Sequence, residues 1–233
     1  MLSQSVEDYL KAIYKLRQDG QRVSTNAIAE SLSVSPASVT SMLKQLASME
    51  MIIHTPYQGA ELTELGTRVA LEVIRHHRLI ELYLTEFLGY RWDQVHDEAE
   101  RLEHVISEEM EDRMDRALGR PTADPHGDPI PSSDLVLPAS DAIMLSKLEP
   151  GQLATVERVS DRDPALLRYV KRLGLVPSAE VSLLERSPFN GPLLVAVGDL
   201  QHSIGLELAS NIFVSNIQSP DSAADGGTVA HAE

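Results

Sequence analysis

Two short stretches of this 233-residue chain hold most of the side chains that could do chemistry. In the first, His77 and Glu81 stand four residues apart. In the second, His96, Glu100, Glu103 and His104 fall at i, i+4, i+7 and i+8. Such spacings place residues on one face of an α-helix, so two helix faces are expected to carry imidazoles and carboxylates together. If the faces meet, three histidines and three glutamates converge, and Asp8 on the first helix could join them. Imidazole nitrogen with carboxylate oxygen and no thiolate suits a first-row divalent cation of intermediate hardness, Mn²⁺ or Fe²⁺. The plain alternative is an acidic solvated helix face with incidental histidines. It accounts for any one of these residues, and less well for six in register. His76 lies off the shared face and reads as a surface or interface residue. His54, His126 and His202 have no partners at ligand spacing.

The elements that must position these groups are legible from periodicity. Val6, Leu10, Ile13, Tyr14 and Leu16 predict an amphipathic helix over 3–18, stopped by Asp19-Gly20. Ser24 or Thr25 caps a short second helix, and Ser35-Pro36 starts a third that runs to about Met49 with Val39, Leu43 and Leu46 inward. Strands at 51–54 and 60–63 flank Pro56-Tyr57-Gln58-Gly59. A short helix, a tight turn, a capped helix and a β-hairpin make a winged helix-turn-helix. The outward face of the third helix presents Ser35, Ala37, Ser38, Thr40, Ser41 and Lys44, small hydroxylated residues that let a helix approach phosphates and base edges. One long helix is expected from Glu64 to Leu88, ending at Gly89, and another from Trp92 or Asp93 to Leu118, ending at Gly119. Val69, Val73, Leu79, Ile80, Leu82, Tyr83 and Leu84 make the first more apolar than one domain face needs, which a homodimer interface over about 64–118 would absorb. Prolines and glycines break 119–147. Short β-like runs at 154–156, 181–184, 193–197 and 212–214, interrupted by a helix at 164–172, predict a small β-barrel.

The fold class is therefore multidomain and mainly α, with domains expected at 1–65, 66–120, a Pro-rich linker at 121–147, a β domain at 148–218 and a disordered tail at 219–233. No run of about 18 apolar residues is present, so no membrane span is expected. The N-terminus lacks the pattern of a signal peptide, and the expected location is the cytoplasm. With no cysteine, a disulfide-stapled module and a thiolate zinc site are excluded. The net charge of −15 argues against nucleic acid until its distribution is considered. Residues 1–75 carry seven Lys/Arg against eight Asp/Glu, residues 76–120 six against twelve, and the remainder seven against fifteen. The acid thus lies outside the expected DNA-binding third.

The chain resembles the diphtheria-toxin-repressor family of metal-dependent transcriptional regulators over roughly residues 4–217. The resemblance is carried by Glu7-Asp8-Tyr9-Leu10 with Ile13-Tyr14, His77-Arg78-Leu79 with Glu81, Val95-His96-Asp97-Glu98-Ala99-Glu100 with Glu103-His104, and the run Pro125 to Pro131. It implies a winged-helix domain, a helical dimerisation and metal-binding domain, and a C-terminal SH3-like domain. It further implies a primary activating metal site at Asp8, Glu100, Glu103 and His104. An ancillary site is implied at His77, Glu81 and His96, with an acid from the SH3-like domain, either Asp163, preferred, or Asp161. Iron-sensing members carry methionine and cysteine where this chain has Asp8 and Glu100, as the manganese-sensing branch does. Compact manganese-sensing members carry a second acid where this chain has Lys11, which favours two separate metal sites over a bridged pair. The implied function is Mn(II)-activated binding of double-stranded operator DNA by a homodimer that controls metal-uptake genes, with Fe(II) as the alternative effector.

Two other classes compete. His76-His77 with His96-Asp97 superficially resembles the histidine-aspartate phosphohydrolases, but a later aspartate in helical context is missing and the winged helix would go unexplained. A DNA-independent interaction module, with the β domain as its working part, is the third.

Overall fold

The computed structural model describes residues 2–17 and 21–219. The expected stop at Asp19-Gly20 and the tail beyond Ser219 lie outside the described residues. The chain divides into two compact units. One comprises Met1–Tyr83, Asp97–Thr122 and Ile130–Pro138; the other comprises Leu84–His96, Ala123–Pro129 and Ala139–Glu233.

In the first unit, α1 (Gln4–Leu16), α2 (Thr25–Ser31) and α3 (Pro36–Ser48) precede a two-stranded antiparallel wing, β1 (Ile52–Thr55) and β2 (Gly59–Leu62). Local signals set the helix starts. Ser24 Oγ accepts from Ala27 N–H at 3.1 Å, and Ser35 Oγ accepts from Ser38 N–H at 3.1 Å, with Pro36 supplying a pre-set φ at the first helical position. Val6, Leu10 and Ile13 recur on one face of α1 and pack with Ile28, Val39, Leu43, Leu46 and Ile52 in a single core. The opposite face of α1 carries Glu7, Asp8 and Lys11. Val23 exchanges both backbone hydrogen bonds with Ala60 and adds a third strand-like edge to the wing. Gly59 is needed there, with φ +108°, because a Cβ would sit 2.4 Å from the Val23 carbonyl oxygen.

The long helix α4 (Glu64–Leu88) runs as expected and stops at Gly89, whose φ is +71°. The second long helix does not form. It is replaced by α5 (His96–Leu102) and α6 (Glu108–Ala117), separated by a turn over 103–105 and two irregular residues. Ser107 is the cause within the sequence: its hydroxyl accepts from Met110 N–H at 3.2 Å and restarts the helix as an N-cap. β-branched Val105 and Ile106 just before it lose side-chain freedom in a helix and resist continuing one. In the first unit α6 is fastened by Arg75 of α4, which pairs with Glu111 and Asp115 and donates to the Pro131 carbonyl at 2.6 Å.

The second unit is a six-stranded, wholly antiparallel sheet. Its strands are β3 (Ile143–Met144), β4 (Leu153–Val159), β5 (Glu180–Arg186), β6 (Leu193–Val197), β7 (Leu200–Ile204) and β8 (Ile212–Gln218), in the order β3-β8-β4-β5-β6-β7. Inward residues Val156, Val181, Leu183, Val195, Ile212 and Val214 alternate along the strands and pack on Leu167 and Val170 of α7 (Pro164–Arg172). A short helix, α8 (Leu206–Ala209), joins β7 to β8. Two features depart from expectation. Ile143–Met144 pairs with β8 as an edge strand, so the sheet begins inside the expected linker, where Leu145 is fully buried, as is Leu148 just after it. Strand β7 was hidden by its polar Gln201-His202-Ser203 centre, which suits an edge strand with one exposed face.

Candidate metal centre

Glu103 is the hub of the first unit's charged cluster. It sits just past the last turn of α5, with its backbone N–H on Ala99 O at 2.9 Å, and is 1% exposed. Its Oε1 lies 3.2 Å from His104 Nε2, and its Oε2 lies 2.5 Å from His77 Nδ1. Lys11 Nζ donates to both oxygens, at 2.9 and 2.7 Å, and to Glu100 Oε1 at 2.6 Å. His104 Nε2 is 2.9 Å from Asp8 Oδ1. Asp8, Glu103 and His104 gather around one point, while Glu100 groups with His77 and Glu103 on the other side of the Glu103 carboxylate, and neither set shares one helix face. Glu103 and His104 lie in the turn after α5, and the turn aims His104 at α1.

The imidazoles differ in what they can offer. His104 Nδ1 lies 2.6 Å from Glu7 Oε2, which makes Nδ1 the donor and leaves the Nε2 lone pair facing Asp8 and Glu103. That nitrogen is buried and, carrying no hydrogen in this tautomer, has no hydrogen-bond partner although both carboxylates lie close. An unsatisfied imidazole lone pair between two carboxylates fits a divalent cation with oxygen-rich ligation. A groove of about 450 Å³, lined by Glu7, Glu103 and His104 among others, leads to it. Asp8 titrates above the usual carboxylate range, chiefly because it is partly buried; His104 opposes the shift, and Glu103 and Glu100 add to it. Burial pulls Lys11 downward, but Glu103 and Glu100 more than offset it, and its ammonium is held above the ordinary lysine value.

His77 faces a carboxylate at each nitrogen: Glu103 at Nδ1, and Glu81 at Nε2 at 3.0 Å. Burial works against its protonation, yet Glu81 and Glu103 raise its pKa above the ordinary value. His76 is not a surface residue. It is buried, with Nδ1 at 3.0 Å from Glu103 O and Nε2 at 3.0 Å from Glu111 Oε2, two acceptors that both favour the imidazolium.

In the second unit His96 Nδ1 lies 3.5 Å from Asp161 Oδ2. The preferred Asp163 is engaged otherwise: it is the N-cap of α7, accepting from Ala165 N–H at 2.7 Å. Geometry thus reverses the preference, and the Asp-Pro signature at 163–164 was a cap signal that could have done so earlier. His126 also has partners. It is fully buried, stacked on Trp92, within 2.7 Å of Trp92 O through Nε2 and 3.9 Å from Asp124 Oδ1 through Nδ1. The sharp turn beside it requires Gly127, φ +89°, where a Cβ would meet Glu157 O at 2.0 Å. The signal for this pair was the Asp-x-His spacing.

The residues expected at DNA stay on the outside of α3. Ser35, Ala37, Ser38, Thr40, Ser41 and Lys44 are all exposed. Thr40 donates its hydroxyl hydrogen to Pro36 O at 2.9 Å, so it turns a methyl and acceptor lone pairs outward.

Three family models match in sequence: iron dependent repressor, N-terminal DNA binding domain, over residues 1–60; iron dependent repressor, metal binding and dimerisation domain, over 63–132; and the FeoA domain over 143–216. The iron-dependent repressor IdeR of Mycobacterium leprae is 31% identical over 229 residues, covering 93% of this chain and 99% of that protein. This chain belongs to the diphtheria-toxin-repressor family. The diphtheria toxin repressor of Corynebacterium diphtheriae is 30% identical over 225 residues, covering 88% of this chain and 98% of its own. Among solved structures, a manganese-dependent transcriptional repressor in complex with manganese is 39% identical, with a TM-score of 0.84, over 90% of this chain and 98% of the other. The family consists of metal-dependent DNA-binding repressors, not enzymes, which dismisses the phosphohydrolase reading. Its members bind operator DNA through the N-terminal helix-turn-helix and dimerise. No described helix is long and apolar enough to cross a membrane.

Proposed function

We propose that this chain is a Mn(II)-activated repressor that binds operator DNA as a homodimer and controls metal-uptake genes. The observation that carries the choice of metal is the donor set around His104 Nε2: carboxylate oxygens from Asp8 and Glu103, one imidazole and no sulfur, with the Glu100 carboxylate held beside Glu103 through Lys11. Hard oxygen ligation of that kind suits Mn²⁺. The 39%-identical manganese-dependent repressor supports the same reading. Fe(II) is the second reading, supported by the full-length likeness to iron-dependent repressors. A repressor acts where the chromosome is, so the reading assigns the chain to the cytoplasm.

A divalent cation supplies positive charge and a fixed ligand geometry. The rest is done by the chain's own residues. Asp8 belongs to α1, which packs in the winged-helix core, whereas Glu103 and His104 follow α5. Ligands shared between them tie α1 to the helical segment and set the pose from which Ser38, Thr40 and Lys44 meet DNA. Glu7 holds the His104 tautomer that offers Nε2. The effector activates only if the DNA-competent pose binds it more tightly than the others. Ancillary ligands are proposed at His77 and Glu81 in the first unit and at His96 and Asp161, the last in place of Asp163, in the second, for two separate metal sites per subunit.

The test is metal-by-metal DNA binding on the chain's own upstream region. Mn²⁺ is expected to activate at concentrations available in cells. Control of the target genes by iron, with activation by Fe²⁺ at far lower free concentration than Mn²⁺, would overturn the choice of metal.

A further inference from the structure

We propose that Lys11 is a tethered cation that occupies the carboxylate cage and competes with the activating metal for Glu100 and Glu103, and so sets the metal concentration at which the site loads. The inference rests on the reading of that cage as the primary metal centre.

Lysine offers three donor hydrogens and no acceptor. Three carboxylate oxygens take them: Glu100 Oε1 at 2.6 Å and the two oxygens of Glu103 at 2.9 and 2.7 Å. The Lys11 side chain is only 6% exposed, so the ammonium is a component of the cage and not a surface ion pair. A cation bound at His104 Nε2 needs lone pairs of Glu103, whose Oε1 is already within 3.2 Å of that nitrogen. On the proposed ligand set it draws on Glu100 as well, and these are oxygens that Lys11 binds. Two positive centres a few ångströms apart repel in a poorly solvated site, so loading requires the ammonium to withdraw. The flexible four-carbon stem of lysine allows this.

The opposing view makes Lys11 a permanent neutraliser that stays when the metal arrives. The two differ in sign. If Lys11 competes, its removal tightens metal binding; if it only neutralises, removal weakens binding or leaves it unchanged.

The experiment uses the full chain and Mn²⁺ alone, with affinity measured by chelator competition, in wild type, Lys11→Met and His104→Ala. Lys11→Met is expected to bind Mn²⁺ about tenfold or more tightly, the scale of losing one charge-assisted competitor. Its melting temperature without metal should fall, and its gain on saturation should exceed that of wild type. Equal or weaker Mn²⁺ affinity in Lys11→Met, with wild type binding normally, overturns the competition alone. Mn²⁺ binding that survives His104→Ala overturns the site reading and this inference with it. Should Lys11→Met not fold without metal, the buried ammonium ¹⁵N resonance of wild type is followed on adding diamagnetic Cd²⁺. Its displacement supports the proposal, and an unmoved resonance at saturation overturns it.

Discussion

Glu103 and Leu183 are equally hidden from water, at 1% and 0% exposure, but their surroundings have nothing in common. Leu183 sits among Val156, Val181, Val195 and Val214, where hydrocarbon packing alone closes the core of the sheet. Glu103 is closed in by a lysine, two imidazoles and, through His104, the carboxylate of Asp8. Apolar packing is indifferent to ions and protons. A cage of like-charged carboxylates held together by one ammonium is not, because a dication offers it a second way to be neutral. On the proposed reading the activating site belongs to the first unit, and the apolar core of the sheet takes no part in it.

Substitution at each hub should separate the two. Glu103→Ala is expected to abolish metal-activated DNA binding and to cost about 3 kcal/mol of metal-free stability, because it leaves a buried ammonium with Glu100 alone and takes the acceptor from His77 Nδ1. Leu183→Ala should cost about 2–5 kcal/mol by leaving a cavity. It should not change Mn²⁺ affinity, and denaturant melts with and without metal check both. A shift in metal affinity in Leu183→Ala would show that the sheet takes part in sensing.

Protons sharpen the contrast. His77 and Asp8 both titrate above their ordinary values of 6.5 and 3.8, His77 because Glu81 and Glu103 overcome the effect of burial, Asp8 chiefly because of burial. A raised folded pKa gives stability that is fully present below the unfolded value and lost as pH rises through the folded one. The Asp8 contribution to metal-free stability is therefore expected to be lost as pH rises above its ordinary value, and the His77 contribution above its own, whereas Asp93 and Glu111, held below theirs, contribute the opposite way at acid pH. Mn²⁺ affinity should rise as Asp8 and His77 give up protons. Calorimetric melts against pH, with and without Mn²⁺, should diverge as pH increases. Parallel curves would deny the coupling.

The sequence was most readable where the governing interaction is local. Ser35-Pro36, Gly89 and the Pro164 start each announce themselves within a few residues, and each element boundary follows. The ligand types were readable because metals accept few side chains. Three things were not. The break after Leu102 depends on Ser107 capping a new helix, against an otherwise unbroken helical period. Lys11 is no metal ligand, so its place among Glu100, Glu103 and His77 could be seen only once α1 was packed beside α4 and α5. Glu7 carries no local signal of its contact with His104, which lies 97 residues away in the chain.

Smaller effects test the periphery. Asp163→Ala should cost about 0.5–2 kcal/mol as a lost helix cap and leave metal binding intact, while Asp161→Ala should do the reverse at the ancillary site. Metal titrations of both variants decide which aspartate is the ligand. Lys44→Ala should weaken DNA binding across sequences and flatten the salt dependence by about one unit of slope. An unchanged slope would remove α3 from the DNA contact.

The central claim is that Asp8 on α1 and His104 after α5 share one activating cation. Asp8→Asn tests it with the least disturbance, since it keeps the side chain's shape and should change metal-free stability by no more than about 1 kcal/mol. The measurement is fluorescence anisotropy of labelled upstream DNA titrated with protein at fixed free Mn²⁺. Wild type is expected to gain affinity with Mn²⁺ while Asp8→Asn, folded and dimeric, does not. Activation of Asp8→Asn at the same Mn²⁺ concentration as wild type would contradict it.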